Sequence, residues 1–351
     1  MNRLKPMKKT TKTNIFTYGL VIVAYLAIQL LRSQGALSRS LQGQLVPVCC
    51  YIVMALSLNL VVGISGELSL GHAGFMSVGA FSGVIAAVSL QNAITSAPLR
   101  LVVAIVVGAA VAAVAGFLVG VPVLRLRGDY LAIVTLAFGQ IIMNIIQCIY
   151  VGVDSNGLHF NFDNPDLGML ADGVSIVSGP KGTVAVQKIA GFNAGFLLIL
   201  VTLVIVLNLV NSRSGRAIMA IRDNRIAAES CGLNITKYKL MAFVTAAALA
   251  GAAGALYGLN YSSIAPSKFD YNTSILVLVF VVLGGLGNMW GSIIAAALLT
   301  ILPEALREFA DYRMLVYAVV LILVMLVTNN PQLKSLFGKL IPRRKEAAND
   351  G

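Results

Sequence analysis

Two ionisable side chains, Glu67 and His72, lie close together in the run GISGELSLGHAGFMSVGAFSG (63–83), where one apolar segment ends and the next begins. A carboxylate and an imidazole can transfer protons or bind a metal ion, but either chemistry needs a further base, nucleophile or ligand. The neighbouring sequence supplies no such third group, so we expect neither a catalytic nor a metal site. Ionisable residues inside a membrane are costly, and they mark either a transport pathway or a structural contact.

The same run is rich in glycine and serine, which allow a transmembrane helix to be interrupted. Interrupted helices often line transport pathways. On this interpretation the pathway residues are Gly66, Glu67, Ser69, Gly71 and His72. The alternative is that the small residues serve only close helix packing and that Glu67 caps the following helix. The residues alone leave both interpretations open.

A second polar run, Ser214–Phe243, is basic and separates two long apolar segments. Asn224 can cap a short helix that follows it, and Gly232 can end that helix. Ala227 and Ala228 would give the helix a small-residue surface that fits closely into a partner's groove. We therefore predict a compact docking segment. The alternative is a basic loop that serves only to orient the chain in the membrane.

Composition indicates which elements position these residues. The chain has 351 residues, of which 58% are hydrophobic and only 11% are charged, whereas soluble domains carry about 25% charged residues. This excludes a soluble protein, and it argues against a nucleic-acid partner despite the net charge of +12. We predict an all-α, polytopic membrane protein with about ten transmembrane helices, some of them broken. The apolar segments are 14–31, 45–64, 67–89, 99–120, 129–150, 192–210, 240–261, 272–286, 289–303 and 313–328.

The distribution of basic residues predicts the orientation. Most of the 26 Lys and Arg residues fall in segments that share one side of a ten-helix arrangement, and such segments are cytoplasmic. We expect one membrane-spanning domain with a basic cytoplasmic head (1–13), a cytoplasmic coupling region (211–240) and a cytoplasmic tail (329–351). The run 151–191 faces outside, either as a solvated connector or as a loop that contacts a partner.

Small residues recur four apart in several segments, which predicts close packing of helix backbones in a compact bundle. The residues concerned are Gly108, Ala112, Gly116 and Gly120, then Gly254 and Gly258, and finally Gly287 and Gly291.

Three passages together resemble a known family. They are GELSLGHAGFMSVGAF at 66–81, the basic run SGRAIMAIRDNRIAAESCGLNITKYKLMAF at 214–243, and LGGLGNMWGSIIAAALL at 283–299. In this order and spacing they resemble the inner-membrane permease subunits of branched-chain amino acid ABC importers, of the LivM type. The resemblance covers roughly residues 45–330.

The resemblance implies a heteromeric importer in a bacterial inner membrane. It implies a second permease subunit, two cytoplasmic ATPase subunits and an extracytoplasmic solute-binding protein. A short coupling helix with an Ala-Ala…Gly pattern then fits a groove in the ATPase. The matching positions are Arg222, Asp223, Asn224, Ala227, Ala228 and Gly232. Because the chain has no GxxxxGK[ST] phosphate loop, ATP is expected on the partner subunits and no cofactor on this chain.

The first functional hypothesis is therefore a permease, not an enzyme, for leucine, isoleucine and valine. The second is a permease for urea or short amides, since close relatives share these motifs. The third is an ion-coupled secondary transporter, which would need buried charges in several spans. Only Glu67, His72 and Asp129 are candidates for such charges, and all three lie near segment ends.

Overall fold

The computed structural model describes residues 9–35, 38–126, 128–154, 157–169, 173–184, 186–306 and the single positions 315, 318, 319 and 322. The chain divides into two compact units, Met1–Thr300 and Ile301–Gly351. The first unit holds nearly all of the described elements. The second begins within the helix Met289–Ala305.

Helices dominate the described chain. They are α1 (Lys9–Ser33), α2 (Arg39–Asn59), α3 (His72–Ser89), α4 (Ala97–Val123), α5 (Asp129–Gln147), α6 (Phe192–Asn211), α7 (Arg213–Asp223), α8 (Arg225–Ser230), α9 (Ile235–Gly258), α10 (Tyr271–Gly284) and α11 (Met289–Ala305). A π-helical turn, Leu60–Ile64, extends α2, and 3₁₀ turns lie at Gly179–Lys181 and Pro266–Phe269. Three strands complete the list: β1 (Ile149–Asp154), β2 (Gly157–Phe162) and β3 (Val174–Ser178).

Seven helices within the described residues are long and apolar enough to cross a membrane. They are α2 with its π turn, α3, α4, α5, α6, α9, and α10 with the 3₁₀ turn before it. Two shorter apolar helices, Thr17–Ser33 and Met289–Glu304, match the first and ninth predicted segments. The tenth segment, 313–328, lies outside the described residues except at isolated positions. A multi-pass helical protein is thus confirmed, while the count of ten spans stays a prediction.

A three-helix core of α3, α4 and α9 is packed backbone to backbone. Gly79 lies directly against the backbone of Gly251, and Gly254 lies against the Met76 carbonyl. A Cβ added at Gly108 would lie 2.8 Å from the Gly79 carbonyl oxygen. The predicted small-residue face of α4 is therefore confirmed as the face that packs on α3 and α9.

The segment after α5 corrects the all-α prediction. A three-stranded antiparallel sheet, in the order β2-β1-β3, forms where we expected a connector or a loop that contacts a partner. The strands IYVGVD and GLHFNF carry the β-branched and aromatic residues that favour pleated structure. In β2, Leu158, Phe160 and Phe162 are exposed at alternate positions. This alternation signals a strand, but it is short and surrounded by Gly, Asn and Asp.

The contacts at the helix termini define two ends of the bundle. At the first, which we call the α8 end, the π turn meets α7 and the α10–α11 turn. At the other, which we call the sheet end, the chain before α6 pairs with the chain after α9. There Val186 N–H donates to Ser262 O at 3.0 Å, and Ile189 N–H donates to Leu259 O at 3.2 Å.

Candidate functional site

The predicted coupling region folds as three consecutive capped helices. Ser212, Asn224 and Asn234 cap α7, α8 and α9, each accepting a hydrogen bond from the backbone N–H three residues on, at 3.0 to 3.1 Å. These bonds satisfy donors that a helix N-terminus leaves free. Gly232 follows α8 with φ +80, a conformation that glycine adopts without strain. The predicted cap at Asn224 and stop at Gly232 are both confirmed.

A small apolar cluster holds these helices together. Its buried members are Ile221, Ala228 and Ile235, with Leu233 and Tyr238 packed partly buried against them. Ala228 is only 5% exposed, so the expected Ala227–Ala228 surface is wrong for Ala228, which faces inward. A helix of six residues is too short for its buried side to be read from periodicity.

The outward face of α8 carries Ile226 and Ala227. Ile226 is 79% exposed, the highest value among the exposed large apolar side chains that the structure describes. This apolar side chain on a capped helix is available for contact with a partner. The sequence analysis did not single out Ile226, although an isolated isoleucine among charged residues was the available signal.

The predicted helix break is present between the π turn and α3. Residues 65–71 are non-helical, and side chains of other helices accept hydrogen bonds from backbone donors at the end of this stretch and at the start of α3. Leu70 N–H donates to Thr135 Oγ1 at 3.0 Å, and Ala73 N–H donates to Ser274 Oγ at 3.0 Å. The break is therefore a fixed structure that α5 and α10 support.

Three polar residues at the break, Ser65, Ser69 and His72, are buried. His72 is 2% exposed, and its Nε2 lies 2.7 Å from Ser57 Oγ. Ser69 is 1% exposed, and its hydroxyl has no hydrogen-bond partner among the described residues. Within the described residues no three His, Cys, Asp or Glu side chains group as a metal site requires.

Arg222 connects the coupling region to the helix break. Its Nη1 donates to the Gly63 carbonyl at 3.0 Å, and its Nε and Nη2 donate to Asp223 Oδ1 at 3.0 and 2.9 Å. Its aliphatic stem lies on Gly66, where an added Cβ would be 2.6 Å from Arg222 Cγ. Gly66 also has φ +75, so two independent constraints favour glycine there.

A second connection joins Glu67 to Lys239 near the start of α9. The two side chains form an ion pair and are 12% and 13% exposed respectively. The alternative in which Glu67 caps α3 is wrong, because the N-cap residue of α3 is Gly71. Glu67 instead ties the helix break to α9.

The third motif passage, 283–299, also contacts this end of the bundle. It does so through Asn59, the last residue of α2, which is fully buried. Its Oδ1 accepts from Gly287 N–H at 2.8 Å, and its Nδ2 donates to Ser292 Oγ at 2.9 Å and to Asn288 O at 3.2 Å. The three passages, far apart in sequence, therefore converge at the α8 end.

The chain matches a known protein family over residues 41–327, described as the branched-chain amino acid transport system permease component. The chain belongs to this family. It is 34% identical over 349 residues to the high-affinity branched-chain amino acid transport system permease protein LivM of Salmonella typhimurium, covering 94% of this chain and 79% of that protein. Identity to the Escherichia coli protein of the same name is 34% over 343 residues, covering 93% and 77%.

More distant relatives include the ribose import permease protein RbsC of Escherichia coli, 27% identical over 290 residues, which cover 80% of this chain and 82% of that protein. No solved structure matches the chain significantly. The protein is therefore a multi-pass transport permease of the ABC importer type and not an enzyme.

Proposed function

We propose that this chain is the membrane-spanning subunit of an ATP-driven importer for leucine, isoleucine and valine. The observation that carries the proposal is the pair of ties, Arg222 to Gly63 and Lys239 to Glu67, between the coupling region and the helix break. The names of the relatives at 34% identity support the solute class. The relatives named for sugars are less similar, at 27% identity or below.

The coupling step begins at α8. Its apolar outward face, Ile226 with Ala227, docks in a groove of a cytoplasmic ATPase subunit. Arg222, Asp223, Asn224 and Gly232 shape and cap this helix rather than forming its contact surface. Ala228 does not belong to the contact surface. It is buried in the apolar cluster that makes the segment rigid.

Movement of α8 then reaches the helix break along two routes. One runs through Arg222 at the end of α7, and the other through Lys239 at the start of α9. Both end on 63–67, immediately before the buried polar residues Ser69 and His72. We thus assign Gly66 and Glu67 to the connection between the coupling region and the helix break. Gly71 is assigned to close packing on the Thr135 carbonyl.

Ser69 and His72 remain the proposed pathway residues. The Ser69 hydroxyl is buried and unpaired among the described residues, as expected for a group that bonds a polar solute during passage. Burying a hydroxyl without a partner costs about 1–3 kcal/mol. A passing ammonium or carboxylate group would offset that cost.

The remaining assembly follows the same proposal. The α8 end faces the cytoplasm of a bacterial inner membrane with both termini on that side, because its segments are basic. Partners are a second permease subunit, two ATPase subunits that bind ATP, and an extracytoplasmic solute-binding protein near the sheet end. The exposed apolar face of α4, including Val106 and Leu118, is covered by lipid or by the second permease.

The docking step is tested by co-purification of the ATPase subunits. Ile226→Glu should abolish co-purification while the protein inserts and folds normally, because a side chain that is 79% exposed contributes little to the fold. Leu158→Glu is the matched control, since it makes the same chemical change at a half-exposed apolar site in β2. Wild-type retention of the ATPase by Ile226→Glu would contradict the docking face.

The solute is tested by uptake into liposomes that contain the full importer and its binding protein. Excess unlabelled leucine, isoleucine or valine should each compete with labelled leucine, while acetamide, urea and ribose should not. Competition by urea or acetamide alone would favour the amide alternative. Uptake driven by an ion gradient without ATP would favour the secondary transporter.

A further inference from the structure

A polar cavity of about 570 Å³ lies at the sheet end, between the start of α4 and the segment before α6. Its polar lining residues are Gln91, Thr95, Arg100, Gln187 and Lys188. Two of these side chains are cations, and no carboxylate is among the described lining residues. The cavity is far along the chain from the coupling region, and the proposed transport function does not use it.

Arg100 is incompletely paired in this cavity. It is only 6% exposed, and its Nη2 donates to Gln187 Oε1 at 3.1 Å. Its Nε has no hydrogen-bond partner, and no carboxylate forms an ion pair with it, within the described residues. A buried cation that is paired only with a neutral amide is strongly unfavourable.

The position of Arg100 in its helix increases that cost. It lies in the first turn of α4, which begins at Ala97. The N-terminus of a helix carries partial positive charge, so it disfavours a cation and favours an anion. Arg100 and the helix N-terminus therefore both favour binding of an anion in the cavity. Lys188 adds a second, exposed cation to the same lining.

We propose that this cavity binds the phosphate of an anionic phospholipid headgroup. The guanidinium group has the planar donor geometry that matches phosphate oxygens. The residues beside Arg100 on α4 indicate the depth in the membrane. Leu99, Val102 and Val106 are 55%, 53% and 61% exposed, so the apolar surface that this span presents to lipid or to another span begins at the level of the cavity. A basic pocket at that level meets lipid headgroups.

The test uses the full-length chain, purified in detergent with the subunits that accompany it and then delipidated. The probes are phosphatidylglycerol, phosphatidylcholine and inorganic phosphate, and the readouts are bound lipid by native mass spectrometry and the melting temperature. Phosphatidylglycerol should stay bound and raise the melting temperature. Inorganic phosphate should do neither at the same concentration, because a lipid is also held by its acyl chains.

Two variants locate the effect. Arg100→Gln should weaken phosphatidylglycerol binding about tenfold or more, as expected for loss of a charge-assisted hydrogen bond. Lys188→Gln should weaken it less, because this side chain is exposed. Lys181→Gln, an exposed basic residue in the 3₁₀ turn of the same end, is the control and should bind like the wild type.

Three results would overturn the proposal. The first is unchanged phosphatidylglycerol binding in both Arg100→Gln and Lys188→Gln. The second is equal retention of phosphatidylcholine, which has no net negative charge. The third is stabilisation by inorganic phosphate equal to that by phosphatidylglycerol, which would remove lipid as the source of the phosphate. If Arg100→Gln does not fold, Lys188→Gln decides, because its exposed side chain is not part of the packing.

Discussion

The ion pair between Glu67 and Lys239 offers the sharpest test of the link between the helix break and α9. With 12% and 13% of the two side chains exposed, the pair is nearly buried. Removing one partner of a buried pair costs about 3–5 kcal/mol, because the other charge stays behind without compensation. Since both groups keep some contact with solvent, we expect about 3 kcal/mol for Glu67→Gln.

Removing both charges should be milder than removing one. The double variant Glu67→Gln/Lys239→Met leaves no buried charge, so it should recover about 2 kcal/mol of the loss. For a chain of this size we expect Glu67→Gln to lower the melting temperature by on the order of 5 °C and the double variant by much less. Uptake should follow the same order, with the double variant recovering part of the activity.

The control is Asp223→Asn, which breaks the exposed pair between Arg222 and Asp223. Those side chains are 37% and 66% exposed, so the cost should stay within about 1 kcal/mol. The measurements are melting temperature in detergent and leucine uptake in liposomes. If Glu67 instead contacts the solute, the single and double variants would lose uptake equally and the single variant would keep its melting temperature. That pattern would refute the structural tie.

Three further results are expected. Arg222→Met should leave ATP hydrolysis intact but reduce uptake, because it removes the hydrogen bond to the Gly63 carbonyl. Arg216→Met is the control: it removes a comparable 3.2 Å hydrogen bond to the nearby Asn211 carbonyl and should not affect the ratio of uptake to hydrolysis. Ala228→Trp should destabilise the buried cluster by roughly 1–3 kcal/mol, seen as reduced folded protein, while the exposed Ala227→Trp should fold normally and lose only ATPase binding. Arg216→Cys should react with an impermeant thiol reagent only in inverted vesicles; labelling of intact cells would contradict the predicted orientation.

Local features were predictable from the sequence, because neighbouring residues determine them. The cap by Asn224 and the stop at Gly232 depend on side chains within a few positions. The non-helical break follows in the same way from a glycine-rich run, whereas the π turn before it was not predicted. The apolar segments predicted the positions of the spanning helices. The segment 67–89 was predicted to start too early, because α3 begins at His72 and the Leu70 N–H before it bonds Thr135 of α5.

The contacts between motifs could not be predicted. Arg222 and Gly63 are 159 residues apart, and Lys239 and Glu67 are 172 apart. No rule of spacing brings such residues together, because only the packing of the spans does so. The buried position of Ala228 depends equally on Ile235 of the next helix. The interpretation of Glu67 as a helix cap was therefore wrong, because its partner Lys239 is not among its neighbours in the sequence.

Backbone packing in α3, α4 and α9 has a mechanical consequence. If α9 slid by one residue, Ala250 or Ala252 would take the place of Gly251, where a Cβ would be 2.6 Å from the Gly108 carbonyl oxygen. The register of α9 is therefore locked to its neighbours. The 24 residues of α9 span about 36 Å. We therefore expect a displacement of α9 near Lys239 to move α3, α4 and α9 together, up to the hydrogen bond that Leu259 accepts from Ile189 at the sheet end.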